Sequence, residues 1–430
     1  MERYDSYKDS GVEWIGEIPS HWDKKRFSYS FNVQKGKIPK ELTDERYSES
    51  LPYLSMNVLR GEEPTEFSNE DGLVVVDEND IGLLWDGSNS GEVIKINQTG
   101  ILSSTVSHLS LKDKKLSQDF SLYLLKFYEK DFKNNTIGMG IPHVDGDHVK
   151  ESKILIPPLS EQQKIVSFLD TKTSLIDSLI EKTQRKVDLL KEKRTSLINE
   201  VVTKGLNPNV EMKDSGVEWI GEIPSHWEKS KLKHKGVFFS GYSFDSNDFL
   251  SEGEIRVLKI SNIQNNGISW DDLQFLPESF YNTHQNFIVN KGDLVFVLTR
   301  PIISSGIKVC FFNEEYKTLL NQRNSVFRPN ESSVIKRFLF YSVRTFSFIE
   351  EFKQQLKETN QPNISTEQIS NILIFFPPLS EQQQIVEYLD EQIQLIDKTI
   401  SIEEKRIELL KEYRQSLISE VVTGKRKVVE

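Results

Sequence analysis

Two stretches of the chain place apolar residues at a helical rhythm over an unusual length. In the first they fall at Ile165, Leu169, Ile176, Leu179, Leu190, Leu197 and Val201. In the second they fall at Ile385, Leu389, Ile396, Ile400, Ile407, Leu410, Leu417 and Val421. The spacing is close to 3.5 residues, the period of a narrow seam between helices. Each run follows a Pro-Pro pair, which stops any earlier helix. Next comes Ser160 or Ser380 and, three positions on, Gln163 or Gln383. That order reads as a capping box, in which the serine takes an orphan amide and the glutamine reaches back. Gly205 is a fitting stop for the first run. Helices of about 40 residues would be roughly 60 Å long, and so narrow a stripe on so long a helix requires a helical partner. The simplest partners are the two runs themselves, with Ile176, Leu179, Leu190, Ile396 and Leu410 along the shared seam.

The remaining segments, 23–156 and 228–376, change rhythm and read as mixed α/β. Strand-like runs at 72–76, 293–298 and 308–312 are separated by Asn, Gly and Ser turns, and helical runs cover 119–132 and 334–355.

The pattern is laid down twice. Residues 8–22 recur unchanged at 213–227, residues 157–170 recur at 377–390 with three differences, and residues 189–203 recur at 409–423 with three. The first repeat is displaced by 205 residues and the others by 220, so the variable segments absorb the difference. The predicted division is a joint and variable domain over 1–156, a long helix over 157–205, a second joint and variable domain over 206–376, and a second long helix over 377–430. A frame kept twice with its inserts changed twice is built to hold two different readers in one geometry. Four of the six tryptophans, Trp14, Trp22, Trp219 and Trp227, sit in the joints. They read as packing that fastens each variable domain to the helices, with His21 and His226 in a tight turn.

Charge complicates any role on nucleic acid. The net formal charge is −11, which argues against a protein that coats a polyanion unaided. Segment 24–155 holds 17 Lys/Arg against 21 Asp/Glu, and 228–375 holds 17 against 16. Binding must therefore use local clusters or a partner that supplies positive charge. The single cysteine, Cys310, can form no internal disulfide; no stretch is long and apolar enough to span a membrane, and the opening residues lack a secretory signal. A reduced, cytoplasmic location is expected.

Catalytic signatures are missing from the sequence. There is no phosphate-binding loop, zinc-ligand spacing or nucleophile elbow. The Pro-Pro pairs at 157–158 and 377–378 lack the preceding Asn or Asp and the following aromatic residue of an adenine methyltransferase. Polar clusters in the variable segments are the better candidates, because Arg, Asn and Gln can pair with base edges while Lys and Ser suit phosphates. In the first segment these lie at 85–90, 103–108 and 138–143, with Ser88, Asn89, Ser104, Thr105 and His143 as candidate DNA-binding residues. In the second they lie at 229–235, 261–266, 299–300, 321–324 and 359–363. The candidates there are Lys233, Lys235, Asn262, Gln264, Arg300, Gln322, Arg323 and Asn363.

The doubled Pro-Pro-Leu-Ser-Glu-Gln-Gln (157–163 and 377–383), together with Gly-Val-Glu-Trp-Ile-Gly-Glu-Ile-Pro-Ser-His-Trp (11–22 and 216–227), resembles the specificity subunits of type I restriction–modification systems. Lys-Gly-Asp-Leu-Val-Phe at 291–296 and Gln-Pro-Asn-Ile-Ser at 361–365 resemble features of that family's target recognition domains; 79–84 and 141–144 match them loosely. The resemblance implies an α+β fold: two mixed α/β target recognition domains joined by two long antiparallel coiled-coil helices, a pseudo-twofold internal repeat. It implies that each domain reads half of a bipartite site on double-stranded DNA, with the helices as a ruler between them. Two methyltransferase subunits would methylate one adenine in each half, on opposite strands, and restriction/translocase subunits would cleave unmodified DNA. S-adenosylmethionine, ATP and Mg²⁺ would belong to those partners, and this chain would hold no cofactor or metal. Two other classes stand beside this reading: a fused methyltransferase–nuclease, and a coiled-coil scaffold without a DNA role.

Overall fold

The computed structural model describes residues 3–138, 140–264, 267–303, 306–356 and 362–428. They form two compact units, 1–184 with 404–430, and 185–403. The division runs through the long helices, Leu159–Lys204 and Leu379–Val422, and not at their ends, because half of each helix packs within each unit.

In the first unit the joint is a hairpin of Tyr7–Asp9 against Glu17–Pro19. Asp23–Arg26 then pairs with Lys153–Ile156, so the variable segment leaves and returns at one place. Between them lies a four-stranded sheet in the order Phe31–Lys35, Val106–Leu111, Ile81–Leu84, Val93–Lys95. A second sheet runs Leu51–Leu54 parallel to Gly100–Leu102. Ile81–Leu84 is buried throughout, as a short apolar run covered on both faces should be.

The second unit repeats this plan despite its different sequence. Met212–Asp214 pairs with Glu222–Pro224, and Glu228–Lys231 pairs with Leu373–Phe376. Its sheet runs Gly236–Ser240, Asn324–Pro329, Asp293–Val297, Val309–Phe312, and Ile255–Leu258 lies parallel to Thr318–Leu320. Asp293 is buried within this sheet and satisfied by Arg328, whose Nε and Nη2 donate to the carboxylate at 2.9–3.2 Å. Cys310 is buried too, and burial pushes its thiol up to about 12.

Both units pair the helices antiparallel. In the second, Lys186 meets Glu403 at 2.6 Å and Arg194 meets Asp397 at 2.6 Å, one number rising as the other falls. In the first, Arg426 covers the Phe168 ring and Arg414 binds Asp177 at 2.8 Å. Asp177–Arg414 and Arg194–Asp397 are the same ion pair displaced by 220 residues. The seam includes Ile165, Leu169, Ile176, Val187 and Val201, all buried, with Ile396 and Ile400 beside Val187 and Leu190 in the second unit. Leu410 packs at the edge of the first unit's core.

Leu179 departs from expectation: it is 41% exposed, and its neighbour Ile180 packs inward. One residue is a rotation of roughly 100° about a helix of 3.6 residues per turn, enough to move a side chain off a narrow seam. Thr173 and Thr183 hold buried seam positions instead, each hydroxyl donating to the carbonyl four residues back.

The expected capping boxes are also corrected. The amides of Glu161 and Gln162 both donate to Pro158 O, so the helix already starts at Leu159. Ser160 and Gln163, like Ser380 and Gln383, are exposed within the first turn. The residue that fixes the helix start is the preceding glutamine. Gln162 is fully buried; its Nε2 donates to Lys115 O (2.7 Å) and Pro157 O (2.8 Å), and its Oε1 accepts from Ser117 N (2.8 Å). Gln382 does the same with Ser333 O, Pro377 O and Ile335 N.

Gln162→Leu would leave three backbone groups without partners, at about 1–3 kcal/mol each. Urea unfolding of the variant should show a loss of at least about 3 kcal/mol. A loss below about 1 kcal/mol would mean that the bonds do not hold the domain to the helix.

The joints fasten each domain to the helices. Trp22 and Trp227 are buried, whereas Trp14 and Trp219 are 45% and 37% exposed. Trp22 shares a core with Leu417, Ile418, Val421 and Val422, and Trp227 shares one with Val201 and Val202. His21 pairs with Glu161 at 2.9 Å and His226 with Glu381 at 2.7 Å, an anchoring role for both histidines.

Candidate nucleic-acid interface

The two sheets supply a common coordinate system for the loops. Val106 faces Leu84 in the first domain as Asn324 faces Val297 in the second. Stepping outward from that rung, Thr105 corresponds to Arg323, Ser104 to Gln322, Asp86 to Thr299 and Gly87 to Arg300. A third loop closes each cluster. Gly87 N donates to Pro142 O at 3.0 Å, and Arg300 N donates to Pro362 O at 2.8 Å. Bridges Asp86–His143 and Thr299–Asn363 complete the correspondence. Candidates picked from dissimilar sequences therefore fall at equivalent places: Ser104, Thr105 and His143 in one domain, Gln322, Arg323 and Asn363 in the other. Ser88 and Asn89 are exposed just beyond Gly87.

A glycine makes each cluster possible. A Cβ on Gly36 would lie 2.1 Å from Ser103 O, and one on Gly241 would lie 2.0 Å from Asn321 O. Any side chain there would drive the loop before Thr105 or Arg323 away from the sheet.

The first cluster is held by ionic contacts. Asp86 accepts from Lys35 Nζ at 2.7 Å and lies 2.6 Å from His143 Nδ1. Burial alone would raise the Asp86 carboxyl; Lys35 and His143 outweigh it and hold it below the usual range. Ser103 and Thr105 share a hydroxyl contact of 3.0 Å. The second cluster surrounds an open concavity of about 670 Å³ whose lining includes Lys259, Thr299, Arg300, Lys308, Gln322 and Arg323. Arg300 and Arg323 have φ of 48° and 66°, conformations that cost a non-glycine residue about 1–3 kcal/mol and gather at functional sites. Main-chain bonds enforce them: Leu298 N donates to Arg323 O at 2.8 Å, and Pro362 O takes the Arg300 amide.

Other candidates are placed elsewhere. Asn262 is fully buried; it accepts from Lys259 N and donates to Ser269 O and Asp272 O, so it presents nothing to a ligand. Lys235 is also buried, pairing with Glu228 at 2.8 Å over the Phe376 ring. Lys233 is exposed in the short turn Leu232–His234 beside the joint. Gln264 is exposed and donates to Ser261 O, on the concavity's wall. Residues 265–266 and 359–361 of the candidate clusters, and Met139, lie outside the described residues. Sequence reasoning passed over Lys259, Lys308 and Lys35, which the sheet pairing brings to the loops, and held Asp86 within the 85–90 cluster without naming it as a candidate. Among the described residues, no three His, Cys, Asp or Glu side chains gather as a metal site, and no helix is long and apolar enough to cross a membrane.

The chain's relatives agree with this doubled plan. The model of the type I restriction modification DNA specificity domain matches residues 19–189 and again 224–412. The chain is 34% identical over 415 residues to the type I restriction enzyme MjaVIII specificity subunit of Methanocaldococcus jannaschii, covering 96% of this chain and 94% of that protein. It is 32% identical over 178 residues to the EcoAI specificity subunit of Escherichia coli, 41% of this chain and 30% of that protein. Its fold is similar to a chain of a type I restriction–modification system solved for its assembly and conformational transition, with TM-score 0.72, 16% identity, and coverage of 95% and 99%. It is also similar to the HsdS subunit from Thermoanaerobacter tengcongensis, with TM-score 0.51, 16% identity, and coverage of 95% and 98%. The chain belongs to the type I restriction–modification DNA specificity family, as a DNA-recognition component with two copies of the specificity domain in one polypeptide.

Proposed function

We propose that each loop cluster reads one half of a bipartite site on double-stranded DNA and positions a methyltransferase subunit over it. The observation that carries this reading is the equivalence of the clusters: one scaffold presents Ser104, Thr105 and His143 in one domain and Gln322, Arg323 and Asn363 in the other. The same rigid geometry with different hydrogen-bonding groups is what two half-sites of different sequence require. Two methyltransferase subunits would each modify one adenine, on opposite strands, and restriction/translocase subunits would join to cleave unmodified DNA in the cytoplasm. S-adenosylmethionine, ATP and Mg²⁺ are used by those partners; the role of this chain is recognition and placement.

The test is methylation of a randomised site library by the complex of this chain with its methyltransferase, read by sequencing. Gln322→Ala and Arg323→Ala should relax one half-site by about 1–3 kcal/mol per lost bidentate contact and leave the other half unchanged. Ser104→Ala with Thr105→Ala should affect only the opposite half. Equal loss of preference in both halves would overturn the assignment.

A further inference from the structure

We infer that the second domain supplies most of the grip on DNA phosphates, whereas the first reads its half-site with little electrostatic anchoring of its own. This rests on the reading of the clusters as DNA readers and assigns them unequal tasks.

The sheet correspondence extends beyond the loop tips. Val297 N donates to Lys308 O as Leu84 N donates to Glu92 O, so Lys308 stands where the first domain has Glu92. Leu258 pairs with Leu320 as Leu54 pairs with Leu102, so Lys259 stands where the first domain has Ser55. Together with the loop correspondences, Lys259, Arg300, Lys308 and Arg323 occupy the places of Ser55, Gly87, Glu92 and Thr105. Four cations face one anion and three neutral residues at matched positions.

Pairing within each domain sharpens the contrast. Lys259 is balanced by Asp272 at 2.7 Å. Arg300, Lys308 and Arg323 have no acidic partner among the described residues, and no Asp or Glu lines their concavity. Arg300 and Arg323 are exposed and Lys308 is half-buried. In the first domain the charge of Lys35 is taken up by Asp86, and Glu92 is bound by Arg60 at 3.3 Å. A concave surface with three unbalanced cations focuses its field and gathers a polyanion. Closed ion pairs such as Lys35–Asp86 and Arg60–Glu92 do neither. On a chain of net charge −11, the second cluster is where the counterion release that drives phosphate binding is concentrated.

The experiment measures binding of the chain–methyltransferase complex to a labelled mixed-sequence duplex, between about 50 and 200 mM salt, where each phosphate contact contributes about 0.9 to the slope of log K against log salt. Arg300→Gln with Lys308→Gln should reduce the slope by about 2, with a loss of affinity largest at low salt. Lys35→Gln should change it by less than about 0.5. Glu92→Lys, which installs the second domain's cation in the first, should increase the slope by about 1; this gain keeps the test decisive if the double variant folds poorly. Equal changes from Lys35→Gln and the double variant, or a slope unmoved by both the double variant and Glu92→Lys, would overturn the asymmetry. Absence of salt-dependent binding by the unaltered complex would instead overturn the DNA-reader assignment beneath it.

Discussion

Val187→Asp is expected to destroy the paired helices of the second unit, whereas Leu179→Asp is expected to leave the fold intact. Val187 is completely buried and packs with Ile396 and Ile400. A carboxylate there sits among apolar side chains and loses its hydration, at a cost of several kcal/mol. Domains have only about 5–15 kcal/mol of stability in total, so one such charge removes a large part of it. Ile176→Asp should do the same in the first unit, where Ile176 is 6% exposed. Leu179, 41% exposed, can turn a carboxylate into water at little cost. Thermal melting by circular dichroism separates the cases, and methylation by the reconstituted complex should vanish with Val187→Asp and Ile176→Asp. Melting of Val187→Asp at the temperature of the unaltered chain would mean that the helices are not paired through this seam. Melting of Leu179→Asp as low as Val187→Asp would mean that the seam is rotated from the position described.

The contrast between Val187 and Leu179 shows what the apolar pattern conveys. Helix length, pairing and duplication were all legible, because they depend on a rhythm sustained over 40 residues. The register was less so. A seam running through Thr173, Ile176, Ile180, Thr183, Val187 and Leu190 is continuous only when two threonines are admitted to it, and counting apolar residues alone slips one position onto Leu179. The helix start misled for a related reason: Ser160 and Gln163 have the spacing of a capping box, but Pro158 O already accepts the first amides. At the loops, residue type alone could not tell an exposed side chain from a strut. Asn262 and Gln322 are both polar side chains in candidate clusters, yet one is sealed by three internal bonds and the other is exposed. One signal was present in the chain: Gly36 and Gly241 each lie fourteen residues beyond the joint tryptophan. Its meaning required the loop carbonyls they approach.

Lengthening both helices by seven residues is expected to change the spacing between half-sites while leaving their sequences unchanged. The expectation follows from what the family resemblance implies, that the helices set the separation of the two readers. The insertions belong between Gln184 and Arg185 and between Glu403 and Glu404, where the compact units divide. Each unit then keeps its own contacts, including Asp177–Arg414 in one and Arg194–Asp397 in the other. Seven residues preserve the heptad phase, whereas four would introduce a stutter. Each insertion adds about 10 Å of helix, close to three base pairs at about 3.4 Å per step. Lengthening only one helix would set its seam against an unmatched partner and confuse distance with damage. Because half-sites must also face the right side of the duplex, repeating about every 10 base pairs, the substrate should be a library in which the spacer varies over a full turn. Sequencing the methylated sites should then recover the original half-sites at a longer spacing. Methylated sites with the original spacing and altered half-site letters would show that the helices do not act as the ruler.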